Sequence, residues 1–189
     1  MKEDIKVQNH LTKLNKMKKI AFTVLFLSAL LNLNAQAGSE KVNDSVFVQG
    51  KIKYNNGKYE EAIQDFTSII QSDAKSTDAY LQRGFCYALI KDFNHSIEDF
   101  TTVIQLQPDH EWAYVSRGGA YNKINEYNKA IDDFNAALKL KPTDCEAYNN
   151  RGFSKKALGD KEGACEDWHK SKKMGNDEAY IIIKNNRCK

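Results

Sequence analysis

The feature that most constrains the fold of this chain is an internal repeat of 34 residues that begins at Asn43. Four units follow one another at 43–76, 77–110, 111–144 and 145–176, and the fourth is two residues shorter than the others. A period of this length indicates stacked supersecondary units, none of which can bury its apolar face alone. The 189 residues include only two prolines and ten glycines, a composition that favours helices over a turn-rich β fold. We therefore predict an all-α repeat protein.

Each unit carries the same order of large, small and aromatic residues. A large residue opens the first helix at Val46, Tyr80, Tyr114 and Tyr148, and a glycine follows at Gly50, Gly84, Gly118 and Gly152. The second helix has a small residue at Ala62, Ser96, Ala130 and Ala164, and an aromatic one at Phe66, Phe100, Phe134 and Trp168. A spacing of four places both residues on one helical face. The glycine is expected to let the two helices approach backbone to backbone, and the aromatic residue to pack on the next unit.

From Asn43 onward this pattern closely resembles the tetratricopeptide repeat. The resemblance implies an α-solenoid of four helix-turn-helix units that stack into a right-handed superhelical array. Residues 177–189 follow the fourth unit, and Ala179 and Tyr180 mimic the opening of a further unit. We expect this segment to form a capping helix. The resemblance also implies a non-catalytic module that binds a protein or peptide segment in its concave groove.

The first 37 residues have the pattern of an export signal. Lysines between positions 13 and 19 precede a short apolar stretch at 20–31, and small residues follow it. Because a membrane-spanning helix needs about 20 apolar residues, the pattern predicts a cleaved signal peptide at 1–37. Cleavage is expected after Ala37 or Ala35, with a short linker at 38–42.

Two questions about this segment stay open in the sequence. Met17 is followed by two lysines and would itself be a normal start, so both Met1 and Met17 can begin the signal. The exported product is expected in the periplasm or outside the cell, a choice that the sequence does not make. After cleavage no stable membrane span is expected.

The basic character of the chain belongs to the predicted leader. Removing residues 1–37 takes away six lysines and two acids, which changes the formal charge from +3 to −1. Proteins that bind nucleic acid need clustered Lys and Arg to neutralise phosphates. The near-neutral remainder therefore argues against a nucleic-acid partner.

The period also predicts which residues line the groove, because the Tyr and Gly positions fix the buried face of each first helix. The opposite face gives Phe47, Lys51, Tyr54, Leu81, Phe85, Leu89, Trp112, Val115, Lys123, Asn149, Phe153 and Lys156. This lining is unusually aromatic for a solvated surface. Exposed apolar surface of this kind often marks an interaction site, in which aromatic residues contribute most of the affinity.

Some tetratricopeptide domains grip the C-terminal carboxylates of chaperones. They present Lys and Asn, then Asn, then Lys and Arg from successive first helices. At the corresponding positions this chain has Phe47 and Lys51, then Gln82, then Trp112 and Ser116. A single basic residue remains, so the resemblance does not extend to that clamp.

Two cysteines near the C-terminus are predicted to form a disulfide. Cys165 and Cys188 lie at similar distances on either side of a chain reversal at Gly175-Asn176, so an antiparallel hairpin would bring them level. Export into an oxidising compartment would permit the bond. Cys86 and Cys145 belong to units two apart and are expected to stay reduced.

No set of residues in the sequence predicts catalysis. An enzyme needs a nucleophile, a base and an orienting group close together, and the repeat pattern does not supply them. His169 follows Cys165 by four residues, but a further zinc ligand is not evident. We therefore predict no enzyme activity, no metal site and no cofactor.

An arginine and an aspartate recur with the period of the repeat. They are Arg83, Arg117 and Arg151 just before the glycines, and Asp65, Asp99, Asp133 and Asp167 just before the aromatic residues. The series predicts structural ion pairs between helices. They could form within a unit, as Arg83 with Asp99, or across a junction, as Asp65 with Arg83.

Two other roles remain open beside groove binding. The array could be a structural component that associates through its terminal repeats, or an accessory subunit of an envelope complex. Groove binding predicts sensitivity to changes in the aromatic lining, whereas end-to-end assembly predicts sensitivity at the terminal units.

Overall fold

The computed structural model describes residues 42–188. The predicted signal peptide, both start positions and linker residues 38–41 lie outside the described residues. The described residues from 46 onward form one compact unit. Val42, the last residue of the predicted linker, is already helical.

The described residues form nine α-helices and no strand, which confirms the all-α prediction. The helices are α1 (42–55), α2 (Tyr59–Ser72), α3 (Thr77–Leu89), α4 (Phe93–Leu106), α5 (Glu111–Lys123), α6 (Tyr127–Leu140), α7 (Cys145–Ala157), α8 (Lys161–Lys173) and α9 (Glu178–Asn185). We call α1, α3, α5 and α7 the A helices, and α2, α4, α6 and α8 the B helices. No helix among the described residues is long and apolar enough to cross a membrane.

From α2 onward each helix packs against the next one along the chain, and α5 also contacts the A helices α3 and α7. The A helices α3, α5 and α7 therefore lie side by side, as in a solenoid of helix pairs. α9 packs on α8 and buries Ala179 completely, so it covers the exposed side of the fourth B helix.

The glycine of each A helix makes room for an aromatic ring of the B helix in the same unit. A Cβ built on Gly50, Gly84, Gly118 or Gly152 would lie 2.8, 2.9, 2.8 or 2.6 Å from the ring of Phe66, Phe100, Phe134 or Trp168, respectively. Real Cβ atoms essentially never approach this closely. The glycine thus admits a ring of its own unit, so a backbone-to-backbone approach was the wrong explanation. Packing of the ring on the next unit is confirmed, since Phe66 shares a core cluster with Ala79 and Cys86, and Phe134 with Ala147. The four rings are almost completely buried.

Each A helix ends in the same kind of turn. One residue in it has a positive φ: Gly57, Lys91, Asn125 and Gly159. The next amide then bonds back across the helix end, for example Asp92 N to Tyr87 O at 2.9 Å. This is the Schellman arrangement, which satisfies the last helical carbonyls and turns the chain into the B helix.

Two adjacent glycines of α5 should respond in opposite ways to the same change. Gly118→Ala places a methyl group 2.8 Å from the Phe134 ring and should destabilise the fold by about 1–3 kcal/mol through overpacking. Gly119→Ala meets no atom within 4 Å and should stabilise it by about 0.5–1 kcal/mol, because alanine favours a helix more than glycine does. Urea unfolding of the two variants measures both effects, and shifts of the same sign would contradict the packing described.

Candidate functional site

A cavity of about 710 Å³ opens along the A helices of the second, third and fourth units. It is lined by Phe85, Ala88 and Leu89 of α3, by Ser116, Gly119, Ala120, Asn122 and Lys123 of α5, by Asn150, Phe153 and Ala157 of α7, and by Phe93, Phe100 and Tyr127 of the B helices. We call this cavity the groove. Its volume is within the range of about 300–1,000 Å³ that is typical of ligand sites.

Two aromatic side chains line the groove, Phe85 from α3 and Phe153 from α7. The Phe85 ring packs edge-on against Phe100 with centroids 5.3 Å apart, and the Phe153 ring packs edge-on against Trp168 at 5.5 Å. These supporting rings are the buried ones that rest on Gly84 and Gly152. The packing that closes each unit therefore also fixes the orientation of its groove wall.

Gly119 lies between these walls in the sequence period, 34 residues after Phe85 and 34 before Phe153. A Cβ built on Gly119 would meet nothing within 4 Å. The third unit therefore contributes open space where its neighbours contribute a phenyl ring.

Polar groups at the edge of the groove hold α5 and α7 together. The Ser154 hydroxyl donates to Asn122 Oδ1 at 2.7 Å, and Asn122 Nδ2 donates to the Asn150 carbonyl at 3.4 Å. Ser154 is completely buried, so its hydroxyl needs such a partner. These bonds fix the spacing of the third and fourth A helices.

The groove is positively charged at one side. Lys123 lines it, and none of its lining residues, all within the described part of the chain, is acidic. A second cavity of about 260 Å³ lies between α7, α8 and the C-terminal end of α9 and is lined in part by Lys156, Lys161 and Arg187. Among the ion pairs of residues 42–188, none involves Lys123 or these three cations.

The periodic arginines form their ion pairs within each unit. Both oxygens of Asp99, Asp133 and Asp167 accept hydrogen bonds of 2.6–2.9 Å from Arg83, Arg117 and Arg151, respectively. The remaining guanidinium nitrogen reaches the preceding unit, at Thr67, Thr101 and Asn135. The structure thus selects the within-unit alternative, and the contact across the junction goes to a neutral side chain.

Lysine adds to this series in the terminal units. Lys53, at the repeat position of Tyr87 and not of Arg83, pairs with Asp65 at 2.7 Å, and Lys155 joins Arg151 on Asp167 at 2.9 Å. Burial opposes ionisation of Asp167, but hydrogen bonds from both cations outweigh it and lower its pKa. Burial raises the pKa of Asp99 and Asp133, each of which has one cationic partner.

Several predicted groove residues do line the cavity, and others do not. Phe85, Leu89, Lys123 and Phe153 line the groove, and Lys156 lines the second cavity. Phe47, Lys51, Tyr54, Leu81, Trp112 and Asn149 line neither cavity. Phe47 and Tyr54 pack against the core of the first unit, and Trp112 is exposed with Lys141 over its ring.

Val115 was wrongly assigned to the groove. It is 6% exposed and belongs to the core cluster of the third unit. The physical reason is its spacing of three from Gly118, which places both on the same helical face. Ser116 and Gly119, one residue further on, point to the groove instead.

Sequence reasoning also missed part of the lining. Phe93 and Tyr127 are the first residues of their B helices, and the groove assignment considered A helices alone. Gly119 carries no side chain and so gave no apolar signal. Gly119 directly follows the repeated glycine, at a position where the other units have Lys or Phe. This difference is the signal that could have identified it.

The disulfide prediction agrees with the structure. Cys165 and Cys188 are bonded, with Cα atoms 5.4 Å apart, which ties the end of the chain to α8. Cys86 and Cys145 are free. Burial raises the pKa of the Cys86 thiol to about 12, so it is not a reactive nucleophile at neutral pH. No group of three or more His, Cys, Asp or Glu in residues 42–188 could hold a metal ion.

The stacked helix pairs and the groove beside the A helices define a helical-repeat protein of the solenoid class. A family model described as "Tetratricopeptide repeat" matches residues 44–76 and 77–110, and one described as "TPR repeat" matches residues 118–159. Together these matches cover more than half of the chain, which therefore belongs to the tetratricopeptide-repeat family. None of the curated proteins matches the sequence.

Solved structures share this fold. The crystal structure of MamA has a TM-score of 0.68 and 22% identity, over 73% of this chain and 81% of that one. MamA from Desulfovibrio magneticus RS-1, from residue 41 to the end, gives 0.68 and 21%, over 71% and 77%. The first TPR of Spaghetti (RPAP3), bound to the HSP90 peptide SRMEEVD, gives 0.60 and 26%, over 62% and 93%.

Asp167 should be the most sensitive carboxylate of the ion-pair series. Asp167→Asn leaves Arg151 and Lys155 without their anion, and it should destabilise the fold by about 3–5 kcal/mol at pH 7. Because folding lowers the pKa of Asp167, its contribution is present above the unfolded pKa and is lost as the pH falls through the folded pKa. The gap between wild type and variant should therefore shrink below about pH 4.

Urea unfolding at a series of pH values measures this gap. Glu166→Gln, at an exposed carboxylate on the same helix, is the matched control and should change stability by less than about 0.5 kcal/mol. A gap of the same size at pH 7 and at low pH would contradict the ionic role of Asp167.

Proposed function

We propose that this chain is a non-catalytic protein-binding module that holds a protein or peptide segment in the groove. The observation that carries the proposal is the exposed apolar lining: Phe153 is 43% exposed at the groove and Leu89 is 47% exposed. Apolar side chains that stay exposed beside a cavity favour a binding site over a packing role. Extended or helical segments are the usual ligands of such grooves.

A structural neighbour supports the same kind of function. The first TPR of Spaghetti (RPAP3) is bound to an HSP90 peptide and is 26% identical to this chain. The carboxylate clamp is not expected here, because of Phe47, Gln82 and Trp112 at its positions. The proposal is therefore a peptide site with a different lining.

Association through the terminal units is a second candidate, and a specific observation favours it. Tyr180 and Ile181 of α9 are 55% and 60% exposed, so the capping helix presents an apolar surface at the end of the array. A partner or a second copy could pack there, as in an assembly component or an accessory subunit of an envelope complex.

We also propose that the chain is exported to the periplasm or secreted. The apolar stretch at 20–31 and the small residues after it support export, and the Cys165–Cys188 bond is of a kind that persists in oxidising compartments.

Affinity capture with the tagged full chain from the cells that express it separates the two binding candidates. Phe153→Ala should reduce partner recovery by roughly 30-fold or more, since truncated aromatic anchors typically cost about 2 kcal/mol. Trp112→Ala removes an exposed aromatic side chain that lies outside the groove, and it should leave recovery unchanged. Full recovery with Phe153→Ala, together with loss on Tyr180→Ala, would favour association through α9 and contradict groove binding.

The intact mass of the exported product should match a chain that begins at Gly38 or Gln36 and lacks two hydrogen atoms because of the disulfide. Alkylation of the denatured, unreduced product should modify Cys86 and Cys145 and leave the other two cysteines unmodified. A mature chain that retains residues 20–31 would contradict signal cleavage, and modification of all four cysteines would contradict the bond.

A further inference from the structure

One position in the repeat period gives the groove its shape. The residues there are Lys51, Phe85, Gly119 and Phe153, each 34 residues after the one before. Phe85 and Phe153 line the groove from α3 and α7, and Gly119 lines it from α5 between them. A missing side chain between two phenyl rings leaves a gap, which we call the slot.

The walls of the slot are held in place before any ligand arrives. Phe85 packs against Phe100 and Phe153 against Trp168, and both supporting rings are about 1% exposed. α5 and α7 are joined by the hydrogen bond from Ser154 to Asn122. Because the walls and their spacing are already fixed, little conformational entropy is lost in ordering them when a ligand side chain binds.

The interior of the slot is apolar. An added Cβ at Gly119 would touch no atom within 4 Å, so the gap extends outward from the α5 backbone itself. Ala120 and the aromatic rings contribute the nearby apolar surface. This space is open to one branched or aromatic side chain, which would lie between α3 and α7 beside their phenyl rings.

The charges beside the slot indicate what flanks that side chain. Lys123 is one helical turn after Gly119 and lines the same cavity. On α7, Lys156 is one turn after Phe153 and faces the second cavity together with Lys161 and Arg187. In the described part of the chain none of these cations has a carboxylate within ion-pair distance. The site therefore complements negative charge.

We propose that the slot at Gly119 receives a single large apolar side chain, such as Leu, Met or Phe, from an acidic linear segment of a partner protein. Asp or Glu residues of that segment lie next to the apolar residue and pair with Lys123 and with the cations of the second cavity. This inference rests on the proposed function, because it names the chemistry of the segment that the groove binds.

Filling the slot from within tests the proposal. Gly119→Leu places a leucine side chain in the gap, and leucine favours a helix more than glycine does, so the melting temperature should not fall. Gln105→Leu adds the same side chain at an exposed position of α4 that does not line the groove, and it is the matched control.

The probe is a phage-displayed library of random twelve-residue peptides, selected on the full chain. The enriched peptides should share one large apolar residue next to Asp or Glu. By fluorescence anisotropy, Gly119→Leu should weaken these peptides by roughly 30-fold or more, while Gln105→Leu binds them like wild type. Lys123→Glu should also weaken them, and this loss should be smaller at high salt because ions screen the charge.

Other outcomes overturn the inference. Enriched peptides that are basic or lack a large apolar residue would contradict the inference. A selection that enriches no peptide would contradict it as well. Peptides that are lost in Phe153→Ala but kept in Gly119→Leu would leave groove binding in place and remove the slot. Peptides that bind both variants like wild type would count against both proposals. Self-association in sedimentation that disappears in Gly119→Leu would assign the slot to a second copy of the chain instead.

Discussion

The fold depends on the contact between a glycine of each A helix and an aromatic ring of the B helix in the same unit. At Gly118 a methyl group would already lie 2.8 Å from the Phe134 ring, so the ring lies as close to α5 as a bare backbone allows. The same contact reaches the groove, because Phe85 and Phe153 directly follow Gly84 and Gly152 and pack on the rings that those glycines admit. The interaction that closes a unit thus also orients the rings that line the groove.

The ion pairs act on the other flank of the same contact. Arg83, Arg117 and Arg151 directly precede the glycines, and the aspartates directly precede the aromatic rings. Each guanidinium bonds to its own unit through the carboxylate and to the preceding unit through a neutral side chain. A buried charge is tolerated when its partners are satisfied. The arginine therefore links two neighbouring units, whereas the contact between glycine and ring links the two helices of one unit. Together these contacts set the register of the stack.

The sequence predicted these repeated elements because each is a residue type at a fixed period. It could not choose the partner of Arg83, since an aspartate stands at the required position both within the unit and across the junction. It placed Val115 in the groove because the predicted groove face of α5 was shifted by about one residue from the observed one. In a helix of 3.6 residues per turn, that shift moves a side chain from the groove face to the buried face. The contribution of Phe93 and Tyr127 to the groove depends on how the B helices pack against the A helices. The periodicity within a single helix carries no information about that packing. The disulfide was predictable because it needs only a hairpin and the distances to its turn.

Gly118 and Gly119 show how a structural residue is distinguished from one that shapes a binding surface. Both lower the intrinsic stability of α5, by roughly 0.5–1 kcal/mol each relative to alanine. Gly118 offsets this by admitting the completely buried Phe134 ring. A Cβ at Gly119 would contact no atom of the described chain within 4 Å, and the backbone there is ordinary α-helix. The fold therefore gains nothing from Gly119, whereas the groove gains the space between two phenyl rings. The open volume beside a residue that weakens its own helix is the strongest support for the proposal that the groove holds another molecule.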